Sequence, residues 1–169
     1  MRYVASPNCD QRPRGAEITL LVVHAISLPP GEYGGDAIER LFTNRLDPGA
    51  HPYIRDLARL KVSAHFLVRR DAEIVQFVPV QERAWHAGAS SWRGRERCND
   101  FSLGVELEGN DQDVFTEPQY SALDSLVDAL RRDLPLRAVA AHSDIAAGRK
   151  TDPGPRFEWA RVLRSLAAV

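Results

Sequence analysis

The sequence has few cysteines and no long apolar run. Its two cysteines, Cys9 and Cys98, form neither a CxxC pair nor a disulfide framework, which is typical of proteins in a reducing compartment. The longest apolar run, Ile18–Ile26, is too short to span a bilayer. Residues 1–17 lack the apolar stretch of about seven residues that a secretory signal requires. We therefore expect a cytoplasmic protein that does not associate with a membrane.

The chain also lacks an excess of charge of either sign. It contains 22 basic and 23 acidic residues, with a net charge of −1, whereas a nucleic-acid-binding domain usually carries a basic excess or stripe. We therefore expect no nucleic-acid partner. A length of 169 residues with 44% hydrophobic residues is typical of one globular domain with a sizeable core. We expect one domain over residues 1–169, a monomer, with an irregular lead-in over 1–16.

The pattern of apolar residues predicts a mixture of strands and helices. Ile18–Ile26 is apolar at both odd and even positions and rich in β-branched residues, which predicts a central strand covered on both faces. Residues 62–79 predict a hairpin that turns near Asp71. The remaining predicted elements are short helices over 36–44 and 52–60, a long loop over 82–100, strands over 101–109 and 137–141, and helices over 117–132 and 157–166. Together they predict an α/β fold with a mixed β-sheet flanked by helices.

The strand predicted over 101–109 separates its side chains by parity. Leu103, Val105 and Leu107 share one face, and Gly104, Glu106 and Glu108 share the other. The acidic face need not join the apolar core. The helix that follows has a clear start, because Thr116 and Gln119 have the spacing of a capping box. Its apolar stripe is Tyr120, Leu123, Leu126, Val127 and Leu130.

The stretch HSDIAAGRKTDPGP, from His142 to Pro155, concentrates polar chemistry in a segment without an apolar period. Loops with fixed turns and reactive side chains often carry function. His142 and Asp152 could both bind a metal ion if the loop folds back, and a catalytic zinc site needs three protein ligands and one open position. His24, near the end of the first strand, is a well-placed third ligand. The other candidates for that third ligand are His51, His65 and His86.

Four long segments of the chain resemble one enzyme family. They are LLVVHAISLPPGEYGG, VSAHFLVRRDAEIVQFVP, RAWHAGASSWRGRERCNDFSLGVELEG and HSDIAAGRKTDPGP. In this order and spacing they closely resemble the AmpD-type N-acetylmuramyl-L-alanine amidases. That family belongs to a superfamily with phage lysozyme-type amidases and peptidoglycan recognition proteins. The resemblance covers residues 18–159 and implies a mixed β-sheet flanked by helices, with one Zn²⁺ in a surface groove.

The resemblance also implies roles for individual residues. It makes His24, His142 and Asp152 the zinc ligands. It makes Glu106 the catalytic acid and base, and Lys150 the second catalytic residue. In this arrangement zinc would activate a water molecule and polarise a carbonyl. Glu106 would transfer the proton, and Lys150 would stabilise the oxyanion.

The substrate follows from the resemblance as well. AmpD-type enzymes hydrolyse the amide between 1,6-anhydro-N-acetylmuramic acid and L-alanine in muropeptides, during cytoplasmic recycling of peptidoglycan. Arg97 matches a position that contacts the stem peptide, and arginine suits bidentate pairing with its carboxylates. Trp85 and His86 are expected to line the sugar side. Lys61 stands where an arginine is often found, so it keeps the charge and loses the bidentate geometry.

Two other functions remain open from the sequence. One is a peptidoglycan-fragment binding module that does not hydrolyse its ligand, although the presence of the three ligands, Glu106 and Lys150 argues against it. The other is an amidase that acts on polymeric cell wall. Ala25 is a further departure from the family, which commonly has asparagine there, and this could weaken substrate binding. A structural zinc site is disfavoured, because no fourth cysteine or histidine ligand lies nearby.

Overall fold

A six-stranded mixed β-sheet forms the centre of the computed structural model, which describes residues 1–162. The strands are β1 (Arg2–Tyr3), β2 (Cys9–Gln11), β3 (Leu20–Ile26), β4 (Phe66–Val68), β5 (Ile74–Gln76), β6 (Glu82–Ala84), β7 (Ser91–Trp92), β8 (Arg95–Glu96), β9 (Ser102–Glu108) and β10 (Ala138–Ala141). The helices are α1 (Ala37–Phe42), α2 (Ile54–Leu57), α3 (Glu117–Asp133) and α4 (His142–Ile145), with a 3₁₀ turn at Cys98–Asp100.

The strands of the large sheet follow the order β1-β5-β4-β9-β3-β10. All neighbouring pairs are parallel except β4 and β5, which form the predicted hairpin. The strand predicted over Ile18–Ile26 is β3, and it lies between β9 and β10. Its first four residues are fully buried, as expected for a central parallel strand covered on both faces. The predicted α/β class, a mixed sheet flanked by helices, is confirmed.

The predicted parity of β9 and the predicted start of α3 are both confirmed. Leu103, Val105 and Leu107 pack with the apolar stripe of α3 in one core cluster. At the start of α3 the Thr116 hydroxyl accepts a hydrogen bond from the backbone N–H of Gln119, and the Gln119 side chain accepts one from the backbone N–H of Thr116. The opposite face of β9 is left free for the polar residues of the site.

Several elements differ from the sequence-based prediction. Residues 1–16 are not wholly irregular, because β1 pairs with β5 and β2 pairs with β6. Nor is 82–100 an unstructured loop: it contains β6, the β7–β8 hairpin and the 3₁₀ turn. Helices α1 and α2 are shorter than predicted. The closing helix begins at residue 159, and its predicted residues 163–166 lie outside the described residues. No helix in the described part is long and apolar enough to cross a membrane.

An ion-pair cluster ties the edge of the sheet to α1. Glu39 in α1 accepts hydrogen bonds from Arg2 in β1, at 2.6 Å, and from Arg69 just after β4, at 2.7 Å. The contact with Arg2, followed by that with Arg69, lowers the pKa of Glu39 to about 2 in spite of its partial burial. The pairs thus join three elements that are distant in sequence.

The stability of the fold should depend on the ionisation of Glu39. Its folded pKa lies below the ordinary value of 4.5, so the ion pairs stabilise the fold above that pH and lose their effect as the pH falls towards about 2. Urea unfolding between pH 5 and pH 3 should show a falling free energy of unfolding. The Glu39→Gln variant should be less stable at pH 5 and should show a shallower fall. Equal slopes in the two proteins would contradict this role.

Candidate metal centre and active-site groove

Two parallel strands bring the predicted histidine ligands together. His24 lies in β3, and His142 directly follows β10, whose last residue, Ala141, pairs with Val23. His142 therefore reaches the same level of the sheet as His24. The segment after α4 folds back, because the backbone N–H of Ser143 donates to the carbonyl of Asp152 at 3.0 Å. His24 thus meets His142 and Asp152, which lie more than 100 residues further along the chain, at one end of the sheet.

The ligand atoms of these residues form a small triangle. His24 Nδ1 lies 2.9 Å from His142 Nδ1 and 3.4 Å from Asp152 Oδ2, and His142 Nδ1 lies 3.1 Å from Asp152 Oδ2. Ligands about 2.0–2.1 Å from a tetrahedral metal ion are about 3.3 Å apart. The triangle matches that spacing to within a few tenths of an ångström. It is the one cluster of three possible metal ligands found among the described residues.

The hydrogen bonds around the two rings leave the triangle without a proton. His24 Nε2 lies 2.9 Å from His86 Nδ1, and His142 Nε2 lies 3.4 Å from the carbonyl oxygen of Ala87. A neutral imidazole has one N–H, so a proton on each Nε2 leaves both Nδ1 atoms as lone pairs. Burial lowers the pKa of His24 to about 4, which keeps its ring neutral. Asp152 Oδ2 faces both of these Nδ1 atoms. Two lone pairs and a carboxylate therefore fit a divalent cation such as Zn²⁺.

Glu106 lies beside this triangle on the neighbouring strand. It pairs with His24 in the register of β3 and β9, so both side chains project from the same face of the sheet. Its Oε2 is buried and has no hydrogen-bond partner among the described residues. Burial, followed by the charge of Asp152, raises the pKa of Glu106 well above its ordinary value, while Lys150 acts in the opposite direction. A carboxyl with a raised pKa next to a metal position is suited to accept and return a proton.

A second buried glutamate on the same strand face provides a contrast. Glu108 accepts hydrogen bonds from the Arg69 guanidinium at 3.1 Å, from the backbone N–H of Gly34 at 2.7 Å and from that of Arg70 at 3.2 Å. Its charge is thus compensated by hydrogen bonds, whereas Glu106 Oε2 accepts no hydrogen bond from any residue in 1–162. Glu108 is therefore structural, and Glu106 is the glutamate available for chemistry.

This contrast predicts opposite effects of two matched substitutions. Glu106→Gln should stabilise the metal-free protein at pH 7.5 by about 1–3 kcal/mol, because it removes an uncompensated buried charge. Glu108→Gln should destabilise it, because it weakens contacts to Arg69 and to two backbone N–H groups. Urea unfolding in the presence of a chelator measures both. Destabilisation by both substitutions, to a similar degree, would show that Glu106 is an ordinary structural residue.

A groove of about 430 Å³ opens beside the triangle. Its polar lining includes His24, His142 and Asp152 with Glu106 and Lys150, so the structure brings all five predicted site residues to one cavity. The apolar lining was missed in the sequence. Its members include Leu28, Leu41, Phe42, Tyr53, Leu57 and Leu60. A signal was available, because Tyr53, Leu57 and Leu60 share one helical face at spacings of four and three, and Tyr53 and Leu60 are 50% and 45% exposed.

The predicted substrate-binding residues are more dispersed. Arg97 is an exposed residue that lines a neighbouring cavity of about 770 Å³, and Arg149 lines both cavities. Lys61 is exposed, next to groove-lining residues, and Trp85 is half-buried. His86 is buried, at 9% exposure, with its ring behind His24. His86 also lines the groove, so the structure places it directly beside the metal centre.

A mixed sheet that presents three metal ligands and a free glutamate to a groove is typical of a metal-dependent hydrolase. A sequence-family model described as N-acetylmuramoyl-L-alanine amidase matches residues 14–155. The chain belongs to this amidase family.

Individual relatives are similar over almost the whole chain. The 1,6-anhydro-N-acetylmuramyl-L-alanine amidase AmpD of Citrobacter freundii is 57% identical over 162 residues, which is 95% of this chain and 87% of the relative. AmpD of Escherichia coli K12 is 56% identical over the same length, 95% of this chain and 88% of the relative. The crystal structure of a selenomethionine AmpD derivative superposes with a TM-score of 0.95 at 54% identity, and covers 98% of this chain and 93% of the other.

One structural relative contains a bound substrate. This is AmiD of E. coli in complex with anhydro-N-acetylmuramic acid-L-Ala-D-γ-Glu-L-Lys. It superposes with a TM-score of 0.65 at 31% identity, over 92% of this chain and 60% of AmiD. The shared fold thus accommodates an anhydromuropeptide in that protein.

Proposed function

We propose that this protein hydrolyses the amide bond between 1,6-anhydro-N-acetylmuramic acid and L-alanine of muropeptides, and that residues 1–169 form one zinc amidase domain. The observation that carries the proposal is the triangle of His24 Nδ1, His142 Nδ1 and Asp152 Oδ2, open to a groove beside Glu106. The similarity to AmpD amidases over almost the full chain supports this choice of substrate.

The three residues of the triangle would hold Zn²⁺. Two imidazole nitrogens and one carboxylate oxygen are donors that zinc prefers, and three protein ligands leave one position open. When bound there, zinc supplies Lewis acidity toward a water molecule and toward the scissile carbonyl. A metal requires neutral imidazole ligands, and burial keeps the ring of His24 neutral.

Glu106 moves the proton. Its carboxylate takes a proton from the water whose oxygen attacks the carbonyl carbon, and it passes this proton to the nitrogen of L-alanine as the C–N bond breaks. The raised pKa of Glu106 brings its acid and base forms closer in free energy near neutral pH. The products are a free carboxyl on the lactyl group and a free amine on the peptide.

Lys150 supplies positive charge beside the same carbonyl. It lines the groove two residues from Asp152, and its charge acts on Glu106. An ammonium close to the reacting carbonyl stabilises the negative charge that develops on oxygen during attack.

The two cavities provide separate places for the two parts of the substrate. The apolar lining of the groove suits the body of the anhydrosugar, with Trp85 and Lys61 at its margin. Arg97, with Arg149, lines the neighbouring cavity and suits the carboxylates of the stem peptide. We propose a muropeptide as the partner of a monomeric enzyme. A reducing, cytoplasmic location agrees with the two free thiols of Cys9 and Cys98.

The activity is tested by mass spectrometry with purified protein and 1,6-anhydro-muramyl tripeptide. The zinc-loaded protein should release the anhydrosugar and the free tripeptide, and a chelator should abolish this release. Intact substrate after incubation with the zinc-loaded protein would overturn the proposal. Polymeric cell wall is the comparison substrate. Faster cleavage of the polymer than of the tripeptide would show that the enzyme trims intact wall and does not act in recycling.

Substitutions of the two catalytic residues should reduce kcat. We expect Glu106→Gln to lower kcat by about 10²–10⁴-fold, because proton transfer contributes that much, and Lys150→Met to lower it by about 10²–10³-fold. Arg156→Met removes an exposed cation just beyond the same segment and should leave kcat unchanged. Steady-state assays with bound zinc quantified in each variant measure these effects. Equal activity of the Lys150→Met and Arg156→Met proteins would contradict a catalytic role for Lys150.

A further inference from the structure

We propose that His86 is a positioning residue, which holds His24 in the tautomer and orientation that direct Nδ1 at the metal position. The inference rests on the metal site proposed above and is independent of the substrate. It gives a structural role to a histidine that the family resemblance placed on the sugar side.

A directed chain of hydrogen bonds runs behind His24. The Ser102 hydroxyl lies 2.6 Å from the carbonyl oxygen of Cys98 and 3.2 Å from His86 Nε2. A hydroxyl has one hydrogen, and the shorter contact with a carbonyl oxygen, which accepts and cannot donate, takes it. Ser102 Oγ must therefore accept from His86 Nε2–H. In a neutral ring His86 Nδ1 is then an acceptor, and it receives the Nε2–H of His24 at 2.9 Å.

The surroundings of His86 favour the neutral ring. Its side chain is buried, and its ring centroid lies 5.0 Å from that of His24 and 5.9 Å from that of His65. A second proton on a ring buried beside other imidazoles is unfavourable. With both of its nitrogens engaged by protein atoms, His86 has no polar atom left for a substrate.

The neighbouring strand provides the space for this ring. Gly104 in β9 lies directly against it, and a Cβ atom at Gly104 would approach His86 Cγ to 2.5 Å and Nδ1 to 2.7 Å. Glycine is thus required at position 104 by the close approach of the ring and not by backbone conformation. The same face of β9 carries Glu106 two residues further on. One strand therefore carries the proton-transfer residue and also makes room for His86, which supports the ligand His24.

The backbone next to His86 serves the second histidine ligand. The Asn99 side-chain oxygen accepts hydrogen bonds from the backbone N–H groups of His86, at 3.2 Å, and of Ala87, at 2.8 Å. The Ala87 carbonyl oxygen in turn faces His142 Nε2 at 3.4 Å. Two consecutive residues, fixed by one amide side chain, therefore contact both imidazole ligands on the side away from the metal.

Loss of the acceptor on His86 would change the tautomer of His24. A buried Nε2–H without a partner is costly, whereas a proton on Nδ1 could donate to Asp152 Oδ2, which lies 3.4 Å away. That alternative places a hydrogen atom inside the ligand triangle. Because metal binding would have to displace it, the affinity for zinc should fall by about 10–100-fold, as is typical when the partner of a ligating histidine is removed.

The test compares His86→Asn with His86→Leu. The two side chains have nearly the same shape, but asparagine has an oxygen that can replace Nδ1 as the acceptor and leucine does not. Zinc affinity is measured by competition with a chromophoric chelator, without substrate, in proteins whose folding is checked by circular dichroism. His86→Leu should weaken zinc binding by about 10–100-fold, and His86→Asn should recover most of that loss. Equal zinc affinity in the two variants would overturn the proposal.

A measurement on the unsubstituted protein keeps the test decisive if His86→Leu does not fold. Long-range ¹H–¹⁵N NMR spectra of the metal-free protein identify which nitrogen of His24 carries the proton. The proposal expects Nε2, and protonation at Nδ1 would overturn it. His24→Ala is the control for the site itself, since it should abolish zinc binding. Tight zinc binding by that variant would refute the metal centre and this inference together, whereas a failure to hydrolyse muropeptides would leave the zinc result unchanged.

Discussion

The convergence of two imidazole lone pairs and one carboxylate oxygen is the constraint around which this fold is organised. The three atoms lie 2.9–3.4 Å apart, a distance at which lone pairs repel unless a cation or a proton lies between them. The parallel pairing of β3 with β10 fixes the two histidines, and the return of the loop after α4 brings the carboxylate. Without rigid strands on both sides, the polar triangle would relax away from the metal geometry.

The two faces of β9 show how the same strand serves stability and chemistry. Leu103, Val105 and Leu107 anchor it in the core against α3, so its opposite face is positioned without contributing to that packing. On this face Glu108 is compensated by Arg69 and backbone N–H groups, whereas Glu106 has a buried oxygen without a hydrogen-bond partner in the part of the chain that the structure describes. An uncompensated buried charge costs free energy, and at a reaction centre this cost is the expected sign of function.

Much of the fold and of the site was predictable because the signals are local. The apolar run at Ile18–Ile26, the alternation in β9 and the capping box of Thr116 and Gln119 each act within a few residues. The five residues proposed for the metal and proton-transfer site were predicted from the family resemblance, since spacing alone left His51, His65 and His86 open as the third ligand. In the structure His65 is buried away from the triangle, where its Nδ1 accepts from the backbone N–H of Gly104.

What the sequence could not predict depends on contacts between distant segments. The strands β1 and β2 form because they pair with β5 and β6, respectively. No pattern within residues 1–16 predicts that pairing. The β7–β8 hairpin had a weak local signal, since Gly94 lies in its turn with a positive φ. The role of His86 depends on Ser102 and Gly104 on a neighbouring strand, which no periodicity of its own segment reveals.

The most direct test of this account is X-ray absorption spectroscopy of the zinc-loaded protein. The account predicts nitrogen and oxygen neighbours at about 2.0–2.1 Å, with the outer-shell scattering of two imidazole rings and no sulfur. A sulfur neighbour at about 2.3 Å would place the ion on a cysteine, and a shell without imidazole scattering would exclude His24 and His142. Either of these results would contradict a metal centre built from the two histidines and Asp152.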